Sequence, residues 1–272
     1  MDTAYAYGAN PTTLRDKYYE AEELIVRAWT EENVFSFDGR FTQLRYVNLW
    51  PRPFQKPHPP IWVPGSGSVE TWRKTIEKSQ LYAYLSYSGF KRGQAVMKGF
   101  WETAHAAGID NPYHAGFLQL VCVGESEQEV ADKYGPHAEY FFNKMLHIYP
   151  GFADPPGYRT IETIKSGLLA QTAGFGRDGS KEATWEQLIE LGNVVAGTPE
   201  QVTERLDYVI RKLHIGHLMI LNQFGSIPHE LAKENIRRTA HEVVPNLRHI
   251  WSDYEDHWWP QNAVVRESVG NN

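Results

Sequence analysis

The sequence predicts an α/β fold in which helices pack around a parallel β-sheet. Four apolar segments, at residues 61–65, 81–86, 116–124 and 216–225, alternate with stretches that have helical periodicity. Each apolar segment is continuous along the chain, as strands are when both faces of a parallel sheet are covered. The composition, with 42% hydrophobic and 22% charged residues among 272, is that of a globular protein with a sizeable core.

The chain before the first of these strands predicts a helix and a hairpin. Residues 12–32 place their apolar side chains on one stripe, and Thr12 or Thr13 can cap the resulting helix. Alternating apolar residues then flank Asp38-Gly39, a pair typical of two-residue hairpin loops. The segment WPRPFQKPHPP follows as an extended connector, because proline prevents regular strand pairing.

Helices are predicted between and after the strands, at residues 69–79, at 93–107, from Ser126, from Thr198 and over 229–248. Ser126 and Glu129 have the spacing of a capping box, and Pro199 follows Thr198 at the first helical position. Residues 149–193 have little periodicity and predict an irregular insertion, of the kind that forms lids or binding loops. No boundary is stronger than the proline-rich connector, so residues 1–272 are predicted to form a single domain.

A turn of small residues, Gly65, Ser66, Gly67 and Ser68, joins the strand at 61–65 to its helix. The N-terminus of a helix offers unpaired N–H groups and a partial positive charge, which attract phosphate. Glycines let the backbone approach an anion closely, and serine hydroxyls add donors. Tight turning and helix capping are the commoner uses of these residues, so the motif alone leaves both interpretations open. It has neither the Walker lysine nor the dinucleotide-binding spacing.

Several classes of function are disfavoured by composition. The net charge of −6 argues against non-specific binding to nucleic acid, which requires a basic surface. No apolar run approaches the about 20 residues that a membrane helix needs, and the first ten residues lack the features of a signal peptide. We therefore expect a cytoplasmic protein with neither nucleic acid nor a membrane as its partner. The single cysteine, Cys122, is expected to be a buried hydrophobe instead of a nucleophile.

No catalytic or metal-binding residue can be assigned from the sequence. His214 and His217 form an H-x-x-H pair, but no carboxylate stands at metal-ligand spacing, so no metal site is predicted. Glu125 is the only acid beside a strand end, which makes a glycosidase, with its pair of carboxylates, a minor alternative. No G-x-S-x-G nucleophile motif occurs.

Three segments in order, NLWPRPFQKPHPPIWVPGSGSVETW, VVAGTPEQVTERL and HIGHLMILNQFG, resemble the bacterial luciferase-like, flavin-dependent monooxygenase family. The resemblance extends over essentially the whole chain. It implies a TIM-barrel type (β/α)8 fold and an enzyme that uses reduced FMN and O2 on a small organic substrate. In the family pattern the turn after the fifth barrel strand, here Gly65 to Ser68, grips the flavin phosphate. The segment Gln223-Phe224-Gly225 would face the flavin ring.

The resemblance also leaves alternatives. Some relatives use coenzyme F420 to transfer hydride, and a non-catalytic remnant that binds flavin or another subunit is a further hypothesis. The four predicted strands match only strands five to eight of the barrel, so we expect a partial barrel with exposed sheet edges. Such a chain would need self-association, for example as a homodimer, or a partner half, and a flavin reductase is a further expected partner.

The two ends of the chain are expected to be loose, over residues 1–10 and 262–272. Tyr5 and Tyr7 stand where relatives have residues near the flavin, but termini generally fray. The C-terminal tryptophans are expected to pack on the exterior of the barrel or on a second subunit; they are Trp251, Trp258 and Trp259.

Overall fold

The computed structural model describes residues 2–65, 67–85, 87–146, 160–161, 165 and 182–257. The chain divides into two compact units, one formed by Met1–Ile61 and Ile148–Gln171 and the other by Trp62–His147 and Thr172–Asn272. Of the sequence predictions, those for Ser66, for Trp258 and Trp259, for the loose C-terminal end and for most of the insertion lie outside the described residues.

Within residues 2–61, the first unit has two α-helices and a hairpin. Helix α1 spans Asp2–Ala6, α2 spans Leu14–Thr30, and strands β1 (Phe35–Asp38) and β2 (Gln43–Val47) pair antiparallel. The predicted helix is thus confirmed, and Thr13, one of the two predicted caps, is its N-cap residue. Thr13 makes no side-chain capping bond; Asn10, which caps the short 3-10 turn Pro11–Thr13, accepts a hydrogen bond from the Thr12 amide at 3.0 Å.

The hairpin loop is longer than the sequence predicts. Asp38 pairs with Gln43, so four residues form the loop instead of two. The loop is closed by a hydrogen bond from the Gly39 amide to the Thr42 carbonyl at 2.9 Å. It is held against α2 by Glu20, whose carboxylate accepts hydrogen bonds from the amides of Phe41 at 3.0 Å and Thr42 at 2.7 Å.

The second unit is an α/β structure with a five-stranded sheet. Its strands are β3 (Trp62–Gly65), β4 (Leu81–Leu85), β5 (Ala115–Val123), β6 (Val194–Gly197) and β7 (His217–Leu221). Its helices are α3 (Val69–Glu77), α4 (Gly89–Ala106), α5 (Glu127–Tyr140), α6 (Trp185–Glu190), α7 (Pro199–Leu213) and α8 (His229–Arg238). All the strand pairs of this sheet are parallel, which confirms the predicted α/β class with a parallel sheet.

Strand β5 is the centre of this sheet. Its residue Leu120 pairs with both Val194 of β6 and Leu221 of β7, so β6 and β7 lie on opposite edges of β5. Residues 116–118 of β5 pair with both β4 and β7, so β4 and β6 share one edge, end to end. The prediction of four strands was wrong by one, because Val194–Gly197 also forms a strand.

The sheet curves but does not close among the described residues. Strand β3 pairs only with β4 there, and β7 only with β5. Trp62 of β3 and His217 of β7 are separated by three strand spacings of about 4.8 Å each, yet their ring centroids lie 5.0 Å apart. The two rings meet over Gly116, where an added Cβ would lie 2.9 Å from the Trp62 ring. This face of the sheet is therefore concave.

Two groups of helices pack on the sheet. Helices α3, α4 and α7 cover the face opposite the concave one, where they bury the tyrosines and the phenylalanine of β4 and β5. Helices α5 and α6 lie towards the carboxyl end of the sheet and pack on Leu120 and Cys122 of β5. Helix α4 begins at Gly89, four residues before the predicted start, because the carbonyls of Leu191 and Gly192 accept its first-turn N–H groups. Helix α6 lies within the segment predicted to be irregular.

Candidate functional site

The small-residue turn lies at the carboxyl end of β3. Gly65 is the last residue of that strand, and Ser68 is the N-cap of α3, with Gly67 between them. Ser66 is outside the described residues. The carboxyl ends of parallel strands share one edge of a sheet, and enzymes of barrel type place their sites at this edge. The turn therefore has the expected location for a ligand site.

Gly65 is glycine for a packing reason that the sequence does not reveal. A Cβ at this position would lie 2.6 Å from Cε2 of Tyr82, on the neighbouring strand β4. The Tyr82 ring is held in place, since it stacks on Phe100 at 4.9 Å and meets Trp72 edge-on at 6.3 Å. The side chain that Gly65 lacks would occupy the space of the Tyr82 ring.

Gly67 is glycine because of its backbone conformation. Its φ is +113°, in the region that L side chains rarely adopt, and an added Cβ would lie 3.3 Å from Val96 of α4. The turn thus needs both described glycines, one for space and one for its backbone angle. Neither requirement depends on a ligand.

The N-cap residue of α3 makes no side-chain bond to a first-turn amide, and the same holds for α4 and α8. In α4, however, the carbonyls of Leu191 and Gly192 accept first-turn N–H groups. In α5, α6 and α7 the N-cap side chain accepts a bond from a first-turn amide; the caps are Ser126, Thr184 and Thr198. Ser68 makes no such bond, and its hydroxyl instead donates to Oε2 of Glu70 at 2.8 Å. The first-turn N–H groups of a helix have no intrahelical acceptor. Those of α3 are thus positioned for an anion, but Glu70 brings a carboxylate to the same place.

Beneath the turn lies a buried hydroxyl, that of Tyr82. The residue is 0% exposed, and neither its hydroxyl nor Nε1 of Trp72 completes a hydrogen bond in the described structure. Burial raises the pKa of Tyr82, and the nearby Trp72 indole and Gly67 amide act in the opposite direction. The hydroxyl oxygen would be 3.1 Å from a Cβ on Gly65, so it sits directly against the turn.

Gln223 lies two residues beyond β7, also at the carboxyl edge, and its side chain is exposed. Its neighbours are fixed: Phe224 is 3% exposed, and Gly225 has φ +58° and approaches the carbonyl of His137 too closely for a side chain. The sheet therefore brings Gln223 to the same edge as the Gly65–Ser68 turn, with two strands between β3 and β7.

A polar residue that the sequence analysis missed holds this end of β7. Asn235 of α8 is 0% exposed. Its Oδ1 accepts from the Val123 amide at 2.9 Å, and its Nδ2 donates to the carbonyls of Val121 at 2.7 Å and Asn222 at 3.0 Å. The β7 ladder stops at Leu120, so the Asn235 amide continues it as a strand residue would. It fixes the backbone that carries Gln223.

The other candidates from the sequence have structural roles. His214 is the left-handed C-cap of α7 and meets the rings of Trp101 and Trp251 at 4.7 and 5.0 Å. This places Trp251 against its own chain. His217 lies at the opposite end of β7 from Gln223, and its contact with Trp62 helps to cover the concave face.

Cys122 and Glu125 are also accounted for. Cys122 is 0% exposed and burial raises the pKa of its thiol, which confirms the prediction of a buried hydrophobe. Glu125 forms an ion pair with Arg238 of α8. Of the N-terminal tyrosines, Tyr5 is 44% and Tyr7 85% exposed. In the described part of the chain, three or more metal-ligating side chains nowhere come together, and no helix has the length and apolarity to cross a membrane.

Comparison with known proteins decides the family. The family model described as luciferase-like monooxygenase matches residues 3–215. The chain belongs to this family. A curated relative, the FMNH2-dependent dimethylsulfone monooxygenase of Pseudomonas putida, is 24% identical over 249 residues, which are 88% of this chain and 61% of the relative. The chain thus spans less than two thirds of the length of that luciferase-like protein.

Two solved structures share the fold of this chain. The oxygenating constituent of 3,6-diketocamphane monooxygenase from Pseudomonas putida, solved with FMN, has a TM-score of 0.64 at 17% identity, covering 89% of this chain and 67% of that one. The coenzyme F420-dependent tetrahydromethanopterin reductase of Methanopyrus kandleri has a TM-score of 0.55 at 17% identity, covering 88% and 64%. Both likenesses concern the fold, and the two proteins use different cofactors.

Proposed function

We propose that this luciferase-like chain belongs to a flavin-dependent monooxygenase that uses reduced FMN and O2 to oxidise a small organic substrate. The family match supports this function, and the name of the dimethylsulfone monooxygenase gives the same cofactor for a relative. We propose further that the protein is bacterial and cytoplasmic, associates with itself as a homodimer, and receives reduced flavin from a reductase.

The observation that carries the proposal is the uncapped N-terminus of α3 behind a glycine turn. We assign the flavin phosphate to Gly65, Gly67 and Ser68, together with Ser66. The donor set fits a phosphate group, since it combines main-chain N–H groups with a serine hydroxyl whose hydrogen already points at a carboxylate oxygen 2.8 Å away. A phosphate oxygen would replace that of Glu70 as the acceptor.

Gln223 would lie beside the flavin ring, at the same edge of the sheet as the phosphate turn. The bound flavin would supply the electrons that reduce dioxygen. The work of the chain is then to hold the cofactor and to keep water from its ring, and no acid, base or nucleophile is assigned. The backbone around Gln223 is held by Asn235, which suits a role in positioning.

Two alternative functions can be distinguished from the proposed one by experiment. An F420-dependent oxidoreductase is the alternative within the enzyme class, because the fold is shared with an F420-dependent reductase. A non-catalytic protein that binds flavin or another subunit is the alternative outside it.

The test is an anaerobic titration of the chain with reduced FMN, reduced riboflavin and reduced F420, followed by admission of O2 and measurement of its uptake with candidate substrates. Preferred binding of FMN over riboflavin with coupled substrate oxidation supports the proposal. Preferred binding of F420 with hydride transfer supports the first alternative. Binding of flavin without substrate oxidation supports the second.

A substitution at Ser68 tests whether the flavin phosphate binds at this turn. Ser68→Glu places a second carboxylate at the N-terminus of α3 and is expected to weaken FMN binding at least tenfold while leaving riboflavin binding within twofold. Ser252→Glu is the matched control, since Ser252 is exposed and follows the last described helical turns. Equal affinities of wild type and Ser68→Glu for FMN would remove the turn from the proposed site.

A further inference from the structure

The first unit has almost no core of its own within residues 4–61. The buried side chains of this range are those of Ala4, Glu22 and Phe37. Helix α2 and the β1–β2 hairpin therefore leave most of their apolar side chains in contact with solvent. A large exposed apolar patch on a folded protein marks an interaction site.

Three large aromatic side chains project from β2 and the segment after it. Tyr46 is 68%, Trp50 72% and Phe54 97% exposed, and we call these three residues the aromatic strip. Two of them are held in place by Asn48, which donates to the Tyr46 hydroxyl at 3.3 Å and accepts from the Trp50 indole at 2.9 Å. The guanidinium of Arg52 lies 5.5 Å from the centroid of the Trp50 ring. Tryptophan, tyrosine and arginine are the residues that contribute most to binding at protein interfaces.

The aromatic strip lies in a basic segment of an acidic chain. Residues 39–58 contain four cationic side chains and no acid, whereas the net charge of the chain is −6. Arg40 pairs with an acid of α2, and Arg52 donates to two carbonyls just beyond that helix. Arg45 and Lys56 make no hydrogen bond or ion pair with the described residues. These two cations thus remain for a partner.

Helix α2 offers the opposite chemistry. Tyr18 and Ile25, two helical turns apart on one side of the helix, are 48% and 46% exposed. Residues 16–32 contain six acids and two cations, and both Glu23 and Glu32 are exposed. The surface of α2 therefore combines apolar side chains with carboxylates, which complements a surface of aromatic rings and cations.

We propose that the aromatic strip of one protomer binds α2 of a second copy of this chain. A second copy is the occupant because the same unit carries both halves of the contact, with opposite charges and apolar side chains on each. Two copies related by a twofold axis make the contact twice. The inference names a surface for the homodimer proposed above, so it rests on that part of the proposed function and not on flavin binding.

The first experiment measures the dissociation constant of the dimer by size-exclusion chromatography with light scattering over a range of protein concentrations. Trp50→Asp and Arg45→Glu are each expected to raise this constant at least about tenfold. Ile236→Asp is the control, since Ile236 is an exposed apolar residue of α8 in the second unit, and it should keep the wild-type constant. Thermal melting followed by circular dichroism checks that each variant is folded.

The second experiment localises the contact by cross-linking. Isotope-labelled and unlabelled wild type are mixed and treated with a carbodiimide, which joins a lysine directly to a carboxylate. We expect cross-links from Lys56 of one isotopic form to Glu23 or Glu32 of the other. Their absence from a cross-linked dimer would contradict the proposed contact.

The outcomes separate this inference from the proposed function. If wild type is a dimer and both variants dimerise as tightly, the homodimer stands and this surface is refuted. If Ile236→Asp weakens the dimer as much as Trp50→Asp does, the effect is not specific to the aromatic strip, and the inference is again refuted. If wild type is a monomer at every concentration, this inference and the homodimer both fail and the strip is left for another polypeptide, while the flavin titration still decides the monooxygenase.

Discussion

Removing the Asn235 side chain tests how the carboxyl edge of the sheet is held. In Asn235→Ala, the amide of Val123 loses its acceptor, and the carbonyl of Asn222 loses its donor. The carbonyl of Val121 loses the 2.7 Å bond but keeps a weaker one at 3.2 Å from the side chain of Asn222. The substitution therefore leaves one buried N–H group without an acceptor, removes the hydrogen bond to the Asn222 carbonyl and weakens the bonding of the Val121 carbonyl.

The expected cost follows from these three contacts. An unpaired buried N–H group costs about 1–3 kcal/mol, and each lost hydrogen bond about 0.5–1.5 kcal/mol. The position is 0% exposed, so water cannot replace the lost partners without opening the structure. We expect the free energy of unfolding to fall by about 3 kcal/mol.

Urea denaturation followed by circular dichroism measures the change, and amide hydrogen exchange at Val123 localises it. Asn246→Ala is the matched control: Asn246 is exposed and makes one local bond to the Glu242 carbonyl, so its loss should cost less than about 0.5 kcal/mol. A loss below about 1 kcal/mol in Asn235→Ala, with unchanged exchange at Val123, would refute the assignment of Asn235 as the continuation of the β7 ladder.

Three further predictions follow from the same structure. Glu70→Gln removes a carboxylate from the proposed phosphate site, so FMN should bind about three- to tenfold more tightly while riboflavin binding is unchanged, as measured by titration; weaker FMN binding would contradict this. Cys122 should resist a thiol reagent at pH 8 until the chain unfolds, because burial raises the pKa of its thiol; rapid labelling of the native protein would show that the site is open. Burial lowers the pKa of His114 and of His217, so the unfolded chain binds more protons below the ordinary histidine pKa. Stability in denaturant should therefore decrease as the pH falls below about 6.5, and a stability that rises there would contradict the assignment.

The elements that the sequence predicted well are those whose signals are local. Apolar runs identified β3, β4, β5 and β7, and the caps Ser126 and Thr198 were found from residues within three positions of them. Strand β6 was missed because it has only four residues and follows a segment without periodicity. The hairpin loop was predicted with the wrong extent, and the side chain that binds its amides, Glu20, lies about twenty residues earlier in the chain.

The position of the site stays a prediction, and the physical causes that fix its residues could not be inferred from the sequence. The sequence indicated that Gly65 leaves room for an anion, whereas the structure shows the ring of Tyr82 in that room. That contact joins neighbouring strands and has no local signal. Asn235 likewise sits in an ordinary polar helix sequence, AKENIRR, and only the end of the β7 ladder explains its burial. Contacts between distant segments decided both points.

A crystal structure of the chain with FMN tests the central claim most directly. We predict a phosphate oxygen within about 2.7–3.2 Å of the Ser68 hydroxyl or of a first-turn amide of α3, with the carboxylate of Glu70 displaced from Ser68. A phosphate bound elsewhere, with the bond between Ser68 and Glu70 intact, would contradict the claim.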